Sequence, residues 1–245
     1  MIDDLLLLSR ADIPFEEAQI TIHQPMIKEI AMIGEEAFHY GSKFLNFSID
    51  NLELQDKSHL ESADDFDIFM SMMNNKEERK FKNNSLLVLT LLFPLHTIKV
   101  TSAAIVLTGQ DGSKSFINKT NFGVFKKIIE EMFCLKGLGD SKEGFNPAAG
   151  RAEKIAAKLM AARERRAKAH GQNLNKIAVF SRYISILAVG LQKDMNELLE
   201  YSVYQLYDEF NRFIKKEEYD IFIQYKMAGA TGLDDVDNWM DDIHP

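Results

Sequence analysis

Only one of the 245 residues is cysteine, Cys134, and only one is tryptophan, Trp239. A single thiol rules out an intrachain disulfide and a cysteine-rich zinc site. Its neighbours in Glu131-Met-Phe-Cys-Leu135 read as a helix end, which suits a buried and inert thiol. Long apolar runs are also lacking: the strongest, Leu86 to Leu95, contains Thr90 and Pro94 and is too short to span a bilayer. The start, Met1-Ile-Asp-Asp-Leu-Leu-Leu-Leu8, has two acids and no basic region, so no secretory signal is expected. Neither Gly-x-x-x-x-Gly-Lys-Ser nor a strand-flanked Gly-x-Gly-x-x-Gly occurs, which removes the familiar phosphate cradles. Ser181 and Ser185 have no nucleophile elbow around them. One Glu-x-x-His spacing exists, Glu36-Ala-Phe-His39, but a carboxylate-bridged metal site needs two such copies and two more acids. The acid pairs Asp3-Asp4, Asp64-Asp65, Asp234-Asp235 and Asp241-Asp242 read as helix caps and solubilising charge, because adjacent residues on a helix do not face each other. The expectation is a noncatalytic chain with no cofactor and no metal.

What the chain does have is apolar bulk. Hydrophobic residues make up 46% and charged residues 27%, ordinary globular values that argue against disorder. Seventeen Phe and eleven Met fill a core first, although such side chains also make adaptable contact surfaces. The formal net charge is -8, yet Phe145 to His170 holds seven Lys or Arg against two Glu. That local reversal of sign is the most conspicuous feature of the sequence.

Periodicity divides the chain into an α+β portion over residues 1–138, a linker at 139–147 and a helical portion over 148–245; the sequence leaves open whether the two portions pack as one unit. The fold class expected is α+β and predominantly helical, with a small antiparallel sheet or hairpin in the N-terminal half and a helical bundle in the C-terminal half. In the first portion, Ala18 to His23 alternates like a strand, and one helix is expected from Met26 to Phe38 or beyond, weakened or ended by Gly34 and Gly41. Asp65 to Met73 suits a short helix. Period alone does not decide whether the apolar Leu86 to Phe93 is helix or strand. Thr97 to Thr101, Ala104 to Thr108 and Ser115 to Ile117 are β-prone around a turn at Gly109-Gln-Asp-Gly112. Phe122, Phe125, Ile128, Ile129 and Met132 then define a helix after the candidate caps Asn118 and Thr120.

The second portion reads as helix from Ala148 to Gly229, with breaks near Gly171–Asn175 and Gly190–Lys193. Asp194 and Glu197 have capping-box spacing, and the helix they open carries Leu198, Leu206, Phe210 and Phe213 on a shared side. A further helix is expected to begin at Glu217 or Glu218. Aromatic residues from Phe180 to Tyr225 suit bundle packing with tyrosine hydroxyls at the rim, better than a base-stacking surface, because acids surround them.

On a helical wheel Arg151, Lys154, Lys158, Arg165 and Lys168 share one sector beside an apolar sector of Ile155, Ala156 and Leu159. Such a helix packs on one side and offers charge on the other, to solvent, to an acidic protein surface, to nucleic acid, or to the acidic end of its own chain. That end, Leu233 to Pro245, carries five Asp in thirteen residues, while Val236, Trp239, Met240 and Ile243 recur at helical spacing. A short amphipathic helix that docks onto another surface is preferred there to a wholly disordered acidic tail. The wheel and the tail pattern nominate Lys154, Lys158, Arg165, Trp239 and Met240 as partner-binding residues.

Several blocks in order carry a resemblance: Asn146-Pro147, Lys158-Leu, Arg163-Glu-Arg-Arg, Ser181-Arg-Tyr-Ile-Ser-Ile-Leu187, Val203-Tyr-Gln-Leu-Tyr-Asp208, Arg212-Phe, Lys226-Met-Ala-Gly-Ala230 and Asp237-Asn-Trp-Met240. From about Phe145 to the C-terminus the chain resembles tail assembly chaperones and related products encoded beside the tape-measure gene of tailed bacteriophages. That resemblance implies a factor in the host cytoplasm that binds the tape-measure protein, or another tail protein, by covering its apolar faces before the tail tube polymerises. Self-association is compatible with it. A structural tail component that stays in the virion and a nucleic-acid-binding regulator are the alternatives. None of these blocks is a catalytic motif.

Overall fold

Asp3 starts the first helix, α1 (Asp4–Ser9), by accepting from the backbone N–H groups of Leu5 and Leu6, donors that have no partner inside a helix. The computed structural model describes residues 2–45, 64–75, 77–135, 179–229 and 238–240. After α1, strands β1 (Ile13–Phe15) and β2 (Ile20–Ile22) pair antiparallel across a 3₁₀ turn, with Phe15 opposite Ile20. The alternation from Ala18 predicts β2. Strand β1 is disguised by Pro14, which a strand tolerates at a sheet edge.

The one helix expected from Met26 is two. Helix α2 (Ile27–Ile33) stops at Gly34, whose φ of 90° suits glycine, and α3 (Glu35–Leu45) follows at once. Gly41 does not end α3. A Cβ there would meet the Asn84 carbonyl oxygen and Val88 Cγ2, both at 2.5 Å, so the missing side chain lets α3 lie directly against α5 (Arg79–Leu92). Between them in sequence, α4 (Asp65–Asn74) falls where predicted, and the Asp64 carboxylate accepts from the Asp67 N–H at 2.9 Å. The undecided run Leu86 to Phe93 is the second half of α5 together with its C-cap, Phe93. That helix begins inside the polar stretch before it, and Phe81, Val88, Leu89 and Leu92 return to its buried side at helical spacing.

Three strands follow as a meander: β3 (Thr97–Val100), β4 (Ile105–Thr108) and β5 (Lys114–Ile117), with Val100 opposite Ile105 and Thr108 opposite Lys114. Ile105, Leu107 and Ile117 are fully buried. Asn118 and Thr120 tighten the turn into α6 (Phe122–Met132) rather than cap it. The Asn121 side chain accepts from the Asn118 N–H and donates to the Phe116 carbonyl, which locks the turn to the end of β5.

The C-terminal helices are α7 (Val179–Leu191), α8 (Met195–Leu199) and α9 (Val203–Met227). Asp194 caps only the five-residue α8. The long helix is opened instead by Ser202, which accepts from the Gln205 N–H while Gln205 accepts from the Ser202 N–H. No new helix starts at Glu217 or Glu218, since α9 runs unbroken through both. The linker expected at 139–147 and the basic segment 151–168 lie outside the described residues.

Phenylalanine builds the centre of the core. Phe15, Phe93, Phe122 and Phe125 form a chain of ring contacts, and Phe38 meets both Phe133 and Phe180. One buried cluster takes side chains from α1 through α6 and also Phe180, Ile184, Leu187, Leu198, Val203, Tyr204, Leu206 and Tyr207 from α7–α9. Full burial of each large side chain contributes about 1.5–3 kcal/mol. The architecture is α+β and predominantly helical, with both sheets in the N-terminal half.

Candidate protein-binding surface on the C-terminal helices

Helices α7–α9 are tied to the N-terminal half by polar contacts around the shared core. The Glu35 carboxylate, at the start of α3, accepts from the Phe180 N–H at 2.6 Å, satisfying a free donor in the first turn of α7. Burial pushes the Glu35 pKa up, but a contact with His39 and the Phe180 and Ser181 amides outweigh it, so the carboxyl lies below the usual glutamate value. His39, 3.5 Å from Glu35, is too far for a good hydrogen bond, and its ring stacks on Phe180 at 4.9 Å. Further along, the Ile27 N–H donates to the Tyr201 carbonyl at 2.9 Å, and Met26 bridges Ser202. Arg10 donates to the Glu200 carbonyl, Gln205 to the Leu8 carbonyl and Tyr204 to the Asp4 carboxylate. These contacts fix where α9 leaves the body.

Helix α9 is about 37 Å long at 1.5 Å per residue, and its two halves differ. In the first half Val203, Tyr204, Leu206 and Tyr207 are buried. Tyr183 of α7 lies flat on Phe210 at 3.7 Å and edge-on to Tyr207. Phe213 closes this seam over Gly190, where a Cβ would fall 2.4 Å from the ring. Beyond Phe213 the same apolar line continues, because Tyr207, Ile214 and Ile221 recur every seven residues with Tyr225 alongside. Ile214 is 37% exposed, Ile221 48%, Tyr225 57% and Met227 84%. Glu217 and Glu218 lie between the exposed isoleucines and make no ion pair among the described residues, whereas Asp220 pairs with Lys216.

Acid also lines the groove beside the first half. Glu197, Glu200, Asp208 and Glu209 surround a cavity of about 500 Å³ between α1, α8 and α9. Three of these acids are partnered: Glu200 by Lys28 at 2.6 Å, Asp208 by Arg212 at 3.3 Å and Glu209 by Lys193 at 2.5 Å. Desolvation pulls the Lys193 ammonium pKa down, but bonds to Glu209 and Tyr201 hold it above the usual lysine value. Three of the four acids at the root of α9 are thus held in ion pairs.

Of the nominated residues, Lys154, Lys158 and Arg165 lie outside the described residues. Trp239 is half-buried and Met240 is 66% exposed, in a turn where the Asn238 side chain accepts from the Met240 N–H. The rest of the proposed tail helix lies outside the described residues. Glu36 turns away from His39 and pairs with Lys80 at 3.2 Å. Among the described residues no group of three or more His, Cys, Asp or Glu is placed to hold a metal ion, and no helix is long and apolar enough to cross a membrane. The Cys134 thiol is pushed up to about 12, first by burial and then by the nearby Asp208 carboxylate, so it stays protonated and unreactive near neutral pH.

Residues 171–244 match the family model described as the YomV second domain. This is a phage-associated domain family, and the match takes in α7, α8 and α9. It covers well under half of the chain. No curated protein and no solved structure matches. Among the described residues of the YomV-like region, Ile214, Ile221 and Tyr225 form an exposed apolar line along α9, and they were not among the nominated residues. Their signal is present in the sequence as the seven-residue recurrence from Tyr207, but a helix start placed at Glu217 or Glu218 cuts it in two.

Proposed function

We propose that this protein is a noncatalytic protein-binding factor of phage tail assembly, acting in the host cytoplasm on the tape-measure protein. The observation that carries the proposal is the second half of α9, an exposed apolar seam inside the region that matches a phage-associated family. An extended helical client exposes apolar stripes that aggregate unless covered. A rigid helix rooted in a well-packed body is suited to cover one, because the body holds it in place before the client arrives. Release follows when tail-tube subunits compete for the same stripe.

Co-expression with the neighbouring long helical open reading frame, followed by pull-down and measurement of soluble client, tests this function. The reading expects a retained complex and more soluble client. Unchanged solubility and no retained complex would remove it. Stoichiometric presence in purified mature virions would instead favour a structural tail component.

A further inference from the structure

We infer that the second half of α9 receives an amphipathic helix whose apolar stripe is flanked by Lys or Arg, with Ile214, Ile221 and Tyr225 as the apolar contacts and Glu217 and Glu218 as the charge contacts. This inference rests on the protein-binding reading above and specifies the partner's chemistry. Two observations select that occupant. First, the surface continues an interface the protein already makes. Tyr207 and Phe210 are covered by α7 through Tyr183, Phe213 lies over Gly190 beside the end of α7 at Leu191, and the seam then runs on past α7 with Ile214, Ile221 and Tyr225 exposed and Phe222 buried. What fits beyond that point is another helix laid along α9, reading the same seven-residue spacing.

Second, the seam changes its charge as it leaves the body. Asp208, Glu209 and Asp220 are paired with Arg212, Lys193 and Lys216, whereas Glu217 and Glu218 form no ion pair among the described residues, although Glu217 helps to hold the Lys216 ammonium. Two carboxylates that hold no ion pair among the described residues, beside exposed isoleucines, favour a partner with Lys or Arg beside its apolar stripe, and they disfavour an acidic one by like-charge repulsion. Lys226 does not supply the missing charge to them, since its ammonium sits over the Phe222 ring at 4.3 Å.

The full chain, titrated by fluorescence anisotropy, tests the inference with two labelled peptides of about three heptads: one with Leu on the seam and Lys beside it, the other with Glu replacing every Lys. The Lys peptide is expected to bind at least about tenfold tighter than the Glu peptide and to weaken as salt rises. Ile221→Asp should weaken it by at least about tenfold, and Glu217→Lys with Glu218→Lys should reverse the preference. Circular dichroism establishes that each variant is folded. Equal affinity for both peptides, or an Ile221→Asp chain that binds as the parent does, would overturn the inference. So would two other occupants. Binding that appears only after Lys154, Lys158 and Arg165 are changed to Glu would assign the seam to the chain's own basic segment. A concentration-dependent dimer abolished by Ile221→Asp would assign it to a second copy. An Ile221→Asp chain that still retains the co-expressed client would overturn this surface alone and leave the protein-binding function standing, whereas a parent chain that retains no client would remove the function itself.

Discussion

The first and second halves of α9 are built from the same pattern and meet different surroundings. Tyr207 and Ile221 occupy equivalent positions two heptads apart, yet Tyr207 is buried against α7 while Ile221 is half exposed. The difference lies in what stands opposite. Helix α7 ends at Leu191, and close to that end Phe213 of α9 lies over Gly190. An apolar seam thus serves as core where a neighbour covers it and as surface where the neighbour stops. Periodicity alone reports the seam and not its cover.

Substitutions in the two halves should separate these roles. Leu206→Ala, in the fully buried half, is expected to cost about 2–5 kcal/mol in denaturant unfolding, while Ile221→Ala stays within about 0.5 kcal/mol. Equal costs would mean that the second half is also core. The next largest effect falls at the boundary. Gly190→Ala drives a methyl group into the Phe213 ring and should cost about 1–3 kcal/mol, read as a lowered urea midpoint at unchanged slope.

A smaller loss is expected at the root of α7. Glu35→Gln weakens the cap on Phe180 and should cost about 1–2 kcal/mol near neutral pH. The Glu35 pKa is lower folded than unfolded, so its contribution is complete above the unfolded value, about 4.3, and disappears as pH falls through the folded value. The stability difference between parent and Glu35→Gln should therefore shrink below about pH 4; a difference that grows with acid would contradict that role. The smallest stability effect belongs to Ile214→Ser with Ile221→Ser, within about 0.5 kcal/mol per site, and client retention in pull-down should drop sharply all the same.

Much of the fold is legible in the sequence where the periodic signal is long and its punctuation is local. Asp64 before Phe66, Phe69, Met70 and Met73 is enough to place α4, and the apolar recurrence from Phe122 to Met132 places α6. Ambiguity enters where long-range packing decides. The polar residues from Arg79 to Asn84 conceal the first turns of α5, which form because Phe81 and the later apolar residues share one buried side. Gly41 reads as a breaker until α5 lies across it. Ser202 is the cap that opens α9, while Asp194, with similar spacing, opens only one short helix, because the Ile27–Tyr201 and Met26–Ser202 contacts turn the chain between them. The candidate surface was only partly legible. Its seven-residue spacing is in the sequence, but exposure depends on where α7 ends, and the strongly charged segment 151–168 draws attention away from it.

The central claim is that the second half of α9, and not the first, meets the client. Amide hydrogen exchange along α9, measured on the full chain alone and in complex with the co-expressed tape-measure protein, tests it most directly. Residues 214–227 are expected to exchange faster than residues 203–210 in the free protein and to gain strong protection in the complex, while residues 203–210 remain equally protected in both. Unchanged exchange over 214–227 in a complex that has formed would contradict the account.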